Sequence, residues 1–185
     1  MKAVLLFASL CFLTACSLSK AGDSTTSLPR SERSLGDISK FLSFVASADD
    51  VQVYEGLPHQ NWEREQYATE KRRSDLVKFE GFSFYAKPLD ISDEEKKRLT
   101  VVALKKESHV PFRGMKFCGG YHPDYAIVWM KSGKKGGSLI CFGCHEWKNF
   151  TPEGRLCEDL DSAAYDELRA ILSKYVAQRP KRKQG

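Results

Sequence analysis

Alternation of apolar and polar positions predicts several short β-strands. Residues 50–54 alternate in this way and are followed by a glycine and a proline, which typically end a strand. Residues 79–85 show the same alternation among their phenylalanines. Two further runs, residues 125–130 and 138–141, flank the glycine- and lysine-rich segment 132–137, so we expect a β-hairpin with a mobile tip.

Helical spacing predicts three helices in the same part of the chain. Residues 62–76 are rich in charge, and three of their positions are expected to face inward: Trp62, Tyr67 and Leu76. Ser92 and Glu95 form a capping-box pattern, which predicts a helix that begins here and continues to Leu104. The last predicted helix, residues 161–177, carries five apolar side chains on one face: Ala164, Leu168, Ile171, Leu172 and Tyr175.

The order of these elements indicates an α+β domain. Strands and helices mix without strict βαβ alternation, so we expect a small antiparallel or mixed sheet with two or three packed helices. The domain is expected to span residues 48–177, followed by a basic disordered tail at residues 178–185. Residues 16–47 are rich in Ser, Thr, Gly and charge and are interpreted as a flexible tether. Within the tether, residues 38–45 contain enough apolar side chains for a short helix.

The N-terminal residues have the three-part pattern of a secretory signal peptide. Met1 and Lys2 form a short positive region, residues 3–13 are apolar, and small residues follow. The signal peptide is therefore predicted to occupy residues 1–15. Ordinary export with a coincidental cysteine at position 16 is one interpretation of this pattern.

The sequence Leu13-Thr14-Ala15-Cys16 is more specific, because it resembles the lipobox of bacterial lipoprotein precursors. The resemblance covers only these first residues. It implies cleavage before Cys16, a diacylglyceryl group of the palmitate type on the Cys16 thiol, and acylation of the new amine. Several acyl chains hold a protein on a membrane durably. Because Ser17 stands where inner-membrane retention would show Asp, the resemblance favours a cell-envelope location on the periplasmic face of the outer membrane.

The charge distribution argues against nucleic-acid binding. The chain has 29 Lys and Arg residues against 24 Asp and Glu residues, which gives a formal net charge of +5. Without the signal peptide and the tail, 24 basic and 24 acidic residues remain, so the domain itself is neutral. A nucleic-acid-binding domain carries its basic excess on a folded face. We expect the tail to be solvated, or to contact anionic lipid headgroups or cell-wall polymer.

The chemistry-bearing residues cluster near one predicted hairpin. Of six cysteines, Cys11 is lost with the signal peptide and Cys16 is the predicted lipidation site. The domain keeps four: Cys118, Cys141, Cys144 and Cys157. In an exported protein four cysteines can form two disulfides. We expect Cys118 to pair with one hairpin cysteine, and Cys157 with the other.

A zinc site is the second interpretation of this cluster. Zinc takes four ligands, and Cys118, Cys141 and Cys144 together with His122 or His145 would supply three sulfurs and one nitrogen. The spacing lacks the second CxxC pair that would make the pattern specific. A redox-active CxxC is also possible in principle, but the residues after Cys144 do not resemble the start of a helix.

Covalent haem is the third interpretation. Cys141, Cys144 and His145 match C-x-x-C-H, and over these five residues the chain resembles c-type cytochromes. The resemblance implies two thioether bonds and a proximal imidazole, in a mono-haem electron-transfer lipoprotein. The sixth iron ligand would be Met115, Met130, His122 or solvent, and the sequence does not decide among them.

The sequence contains no recognisable catalytic motif. The motifs GxGxxG, P-loop, G-x-S-x-G and H-E-x-x-H are all missing, so nucleotide, acyl-transfer and zincin chemistry have no support. His59 is best explained as a capped loop histidine, and Asp124 could orient an imidazole. We therefore expect a lipid-anchored module for binding or envelope maintenance rather than an enzyme.

Overall fold

The computed structural model describes residues 35–114 and 116–181, which fold as an α+β domain. Its helices are α1 (Leu35–Ala46), α2 (Arg64–Glu70), α3 (Asp93–Leu104) and α4 (Ser162–Leu172), with a short 3-10 helix at Lys106–Ser108. Its strands are β1 (Asp50–Glu55), β2 (Leu76–Phe79), β3 (Phe82–Tyr85), β4 (His109–Pro111), β5 (Tyr125–Lys131), β6 (Lys134–Cys141), β7 (Glu146–Thr151) and β8 (Gly154–Leu160). None of the helices in these residues is long and apolar enough to cross a bilayer.

Six of the strands form one antiparallel sheet in the order β1-β5-β6-β7-β8-β4. Strands β5 to β8 follow one another through short turns, which accounts for a sheet larger than the sequence suggested. The remaining strands, β2 and β3, form a separate hairpin. The sheet therefore has a helix face, covered by α1, α3 and α4, and a hairpin face, on which β2 and β3 pack.

Helix α1 packs on the helix face, so the expected tether was wrong for this part of the chain. Ile38, Phe41 and Val45 are buried, and their spacing places them on one side of the helix. The Phe41 ring meets the edge of Trp129 in β5 at 6.0 Å. The folded unit thus includes α1, and the tether prediction for residues 16–34 lies outside the described residues.

The β5–β6 hairpin was predicted, but its turn is tighter than expected. Ser132 and Gly133, both with positive φ, form a two-residue turn. The next two glycines belong to β6 instead of the tip. A Cβ at Gly136 would lie 2.6 Å from the Phe44 ring, so glycine at this position lets α1 approach the sheet closely.

The β2–β3 hairpin occupies residues for which the sequence predicted other elements. These were the end of the helix at residues 62–76 and the start of the strand at residues 79–85. Helix α2 ends at Glu70, and Leu76 lies in β2. Glu80 and Gly81 turn the chain with φ values of 51° and 85°, so residues 79–85 are not a single strand. The hairpin buries Phe79 and Phe84 against the sheet.

Helices α3 and α4 begin as the sequence predicted. The Ser92 hydroxyl accepts a hydrogen bond from the backbone N–H of Glu95, and the Asp161 carboxylate caps the first turn of α4. The apolar face of α4 is fully buried at Leu168, Ile171 and Leu172. Helix α4 stops at Leu172, so the predicted extension to residue 177 is wrong.

The C-terminal segment packs against the domain as far as residue 181. The backbone N–H groups of Ala177 and Gln178 donate to the buried Glu55 carboxylate, at 3.2 and 2.7 Å. The Arg179 guanidinium donates to the carbonyl of Gly56. The expected disordered tail is therefore wrong for residues 178–181, and residues 182–185 lie outside the described part of the chain.

Candidate functional site

One disulfide joins two loops at the same end of the sheet. Cys118 lies in the loop before β5, and Cys144 lies in the turn between β6 and β7. Their α-carbons are 5.5 Å apart, which is ordinary for a disulfide. The sequence analysis anticipated a bridge from Cys118 to one of the two hairpin cysteines, and the structure pairs it with Cys144.

The second expected bridge does not form, because a strand separates its two cysteines. Cys141 lies in β6 and Cys157 in β8, with β7 between them. Two interstrand spacings amount to about 9.5 Å, more than the roughly 7 Å that a disulfide tolerates between α-carbons. Both residues remain thiols. The Cys157 thiol donates at 3.6 Å to the carboxylate of Glu146, which lies in the strand that separates it from Cys141.

The Cys141 thiol is buried and unreactive in character. Burial raises its pKa from an ordinary value near 9 to about 11, although the backbone N–H groups of His122 and Cys144 favour the thiolate. At neutral pH the thiol is therefore protonated and a poor nucleophile. This environment does not support a redox-active CxxC.

The hydrogen-bonding groups of the His122 side chain are engaged in structural contacts. Its side chain is buried, and the Nε2–H group donates to the carbonyl of Leu57 at 2.8 Å. Its Nδ1 atom lies 3.7 Å from the Asp124 carboxylate, which itself accepts a hydrogen bond from the Phe142 backbone N–H. Burial lowers the pKa of His122, and Asp124 opposes that effect. The imidazole therefore joins the loop after β1 to the start of β5.

His59 caps the turn that leads into α2. Its Nδ1 atom accepts hydrogen bonds from the backbone N–H groups of Asn61 and Trp62, at 3.1 and 3.3 Å. Burial lowers the pKa of His59, and its ring lies 4.6 Å from that of His122. Both imidazoles are thus engaged with backbone groups, and neither contacts a nucleophile.

The C-x-x-C-H residues do not fit haem attachment. The Cys144 sulfur is bonded to Cys118 and cannot form a thioether in this state. Cys141 points to the hairpin face, in register with Glu146. The His145 ring instead stacks on Tyr165 of α4, with ring centroids 4.0 Å apart. The two thiols and the imidazole therefore do not converge on one space that could hold an iron porphyrin.

The residues expected to bind zinc do not form a metal site either. Cys118 and Cys144, which were expected to supply two of its three sulfurs, are oxidised in the disulfide. Among residues 35–114 and 116–181, no group of three or more His, Cys, Asp or Glu side chains converges in a way that could hold a metal ion. The residues present do not fit a zinc site.

A buried polar network that the sequence analysis missed lies on the helix face. The His109 ring bonds the Glu158 carboxylate at 2.7 Å and the Ala103 carbonyl at 2.9 Å. The Asn149 amide donates to the same carboxylate and accepts from the Ser138 hydroxyl. Because each member is hydrogen-bonded inside the core, the network specifies strand pairing and is closed to substrate.

Two large aromatic side chains are exposed beside the disulfide. Phe117 is 97% exposed and Trp62 is 64% exposed, which overturns the prediction that Trp62 faces inward. The Trp62 indole N–H donates to the carbonyl of Cys118 at 3.4 Å, and its ring contacts Gly119. We name Trp62 and Phe117, with the loop of residues 117–120 between them, the aromatic patch. The polar neighbours His-Gln-Asn before Trp62 were the sequence signal for its exposure.

The chain shows no similarity that identifies a family. No family model matches it, and neither the curated proteins nor the solved structures include a match. A groove of about 550 Å³ between α3 and α4 is spanned by the ion pair of Arg98 and Glu167, and neither histidine nor cysteine lines it.

Proposed function

We propose that this chain is a lipid-anchored protein of the bacterial cell envelope, and that its domain serves in binding or envelope maintenance. The observation that carries the proposal is the disulfide between Cys118 and Cys144, in a chain whose first residues resemble a lipoprotein precursor. Disulfides persist in oxidising compartments outside the cytoplasm. The disulfide and the lipobox pattern are independent features, and each favours export.

A binding role is supported by the nature of the groups at the candidate site. The imidazoles of His59 and His122 are held by backbone groups, and the Cys141 thiol is protonated. These side chains stabilise loops, whereas the aromatic patch presents apolar surface to the outside. Catalysis would need a nucleophile within hydrogen-bond reach of a base in an accessible site. An anchored binding module fits the geometry better.

Metabolic labelling with a palmitate analogue tests the anchoring in the whole chain. The wild-type chain and the Cys11→Ser variant should incorporate the label and fractionate with membranes. The Cys16→Ser variant should remain unlabelled, with its signal peptide uncleaved. Cys11→Ser is the matched control, because it removes a cysteine from the same apolar segment. Equal labelling of the Cys16→Ser variant, or an unlabelled wild-type chain, would contradict the proposal.

A further inference from the structure

The aromatic patch is held in a fixed orientation at one end of the domain. The disulfide ties Cys118 to the β6–β7 turn, and the Asn61 side chain donates to the carbonyl of Gly119. Trp62 packs across the same loop. Exposed aromatic side chains usually lie against neighbouring groups, yet Phe117 is almost wholly exposed. A constrained loop that exposes such a side chain is typical of a contact surface.

Cationic side chains lie close to the patch in the sequence, interspersed with acidic ones. Residues 112–123 contain Arg113 and Lys116 and no acidic residue. Lys116 pairs with Asp159 at 3.0 Å, whereas Arg113 has an exposed side chain. Arg64 is exposed two residues after Trp62. The cationic side chains are thus positioned to meet an anionic partner at the edge of the apolar contact.

The basic C-terminal segment leaves the domain at the same end. The Gln66 amide donates to the carbonyl of Lys181 at 3.3 Å. Gln66 lies in α2, which begins two residues after Trp62. The sequence continues from Lys181 with two further cations, Arg182 and Lys183, which lie outside the described residues. Glu63 and Glu65 flank Arg64, and Asp159 pairs with Lys116, so the described side chains named here carry only a small positive excess.

We propose that the aromatic patch docks on an anionic phospholipid bilayer, the one in which Cys16 anchors the chain. Tryptophan and phenylalanine insert at the boundary between headgroups and acyl chains, and nearby Lys and Arg side chains attract anionic headgroups. The inference rests on the proposed function, because the anchor supplies the bilayer. It adds a second contact, which orients the domain on the membrane.

The anchor keeps the domain within reach of that bilayer. Eighteen residues, 17–34, separate Cys16 from Leu35 at the start of α1. Even a fully extended segment of this length spans at most about 65 Å. The patch therefore encounters the membrane at high effective concentration, and a weak interfacial contact is sufficient for docking.

The dimensions of the patch favour a bilayer over a protein partner. A stable protein interface buries about 800 Å² on each side and includes some 20 residues. Here two aromatic side chains project from a loop whose neighbours, Gly119 and Gly120, add little apolar area. Membrane interfaces need only a few inserted side chains together with electrostatic attraction.

Tryptophan fluorescence of the full-length acylated protein tests the docking. The chain has three tryptophans, and Trp129 and Trp147 are buried in the core with 1% and 0% exposure. Quenching by brominated phosphatidylcholine therefore reports on Trp62. The protein is reconstituted in vesicles of phosphatidylcholine, with and without phosphatidylglycerol. We expect strong quenching and a blue-shifted emission only with phosphatidylglycerol, and loss of both at high salt.

A variant at Phe117 tests whether this side chain inserts. Trp62→Phe removes the reporting fluorophore and gives the background signal of the buried tryptophans, and Phe117→Ser should reduce quenching to the level in neutral vesicles. Val101→Ser is the control, because Val101 is an exposed apolar side chain on α3 and its loss should leave quenching unchanged. Circular dichroism shows that each variant is folded before it is compared.

The outcomes separate this inference from the proposed function. If the mass of the N-terminal peptide shows acylation of Cys16 while Trp62 remains accessible to aqueous acrylamide on anionic vesicles, docking is overturned and the anchoring stands. If Trp62 becomes protected only when an envelope protein is added, the patch binds protein and docking is likewise overturned. An unacylated N-terminus refutes the anchoring itself.

Discussion

Cys144 is bonded to Cys118, 26 residues earlier in the chain, and not to Cys141, the other cysteine of its CxxC motif. The reason is the local backbone. Cys141 is the last residue of β6 and points to the hairpin face, whereas Cys144 lies in the turn that follows. Within the motif, Cys141 is therefore a buried, protonated thiol, whereas Cys144 is part of the disulfide.

Removal of the disulfide should destabilise the domain. The bridge closes a loop of 26 residues, for which loss of unfolded-state entropy stabilises the native state by about 3 kcal/mol. We expect Cys118→Ser, Cys144→Ser and the double variant to lower the free energy of urea unfolding by similar amounts. Cys157→Ser is the control, since Cys157 is outside the bridge. A double variant as stable as the wild type would show that the bridge is not structural.

Cys141 should resist alkylation until the protein unfolds. A pKa of about 11, two units above the ordinary value, lowers the thiolate fraction at pH 8 about a hundredfold. Burial of the side chain slows the reaction further. In a Cys157→Ser background, iodoacetamide should modify Cys141 only in denaturant, as measured by the mass of its peptide. Rapid modification in the native protein would contradict the described environment.

The buried Glu146 carboxyl should lower the free energy of unfolding at neutral pH. Burial raises the pKa of this carboxyl above its ordinary value of 4.5. Because the folded state holds the proton more tightly than the unfolded state, the stabilisation is present below pH 4.5 and is lost as pH rises through the folded-state pKa. Glu146→Gln should therefore raise the unfolding free energy at pH 7 more than at pH 4. Exposed Glu153, changed to Gln, should show no such difference.

His122 should make the domain less stable in weak acid. Its pKa is lowered by burial, so the unfolded state binds the proton more readily than the folded state does. The stabilisation is complete above about pH 6.5 and is lost as pH falls through the folded-state pKa. His122→Gln should flatten the decline of unfolding free energy below pH 6.5. The exposed His145, changed to Gln, provides the comparison, and an unchanged slope in His122→Gln would refute this assignment.

Elements with strong local signals could be predicted from the sequence. Helix α4 has a regular apolar face, Asp161 and Ser92 are good caps, and β1 alternates clearly. Such elements can be predicted from the local pattern, because the spacing of their apolar residues shows both the type of element and the face that is buried.

The features that the sequence did not predict depend on distant contacts. The sequence indicated a short helix at residues 38–45, but not that α1 packs on the sheet, where Gly136 of β6 leaves room for the Phe44 ring. The β2–β3 turn uses a glutamate in a left-handed conformation, which local propensity does not favour. The lack of a second bridge depends on the strand order, since Cys157 is separated from Cys141 by β7. No pattern within a few residues contains that information.

The covalent state of the chain isolated from bacterial membranes tests the proposed anchoring most directly. Intact mass and peptide mapping, without prior reduction, should give an N-terminal peptide that begins at an acylated Cys16. The same spectrum should contain one crosslinked peptide that joins Cys118 to Cys144, with Cys141 and Cys157 as thiols. A chain that retains Met1, lacks acyl mass and carries all six cysteines as thiols would contradict both the anchoring and the export on which it depends.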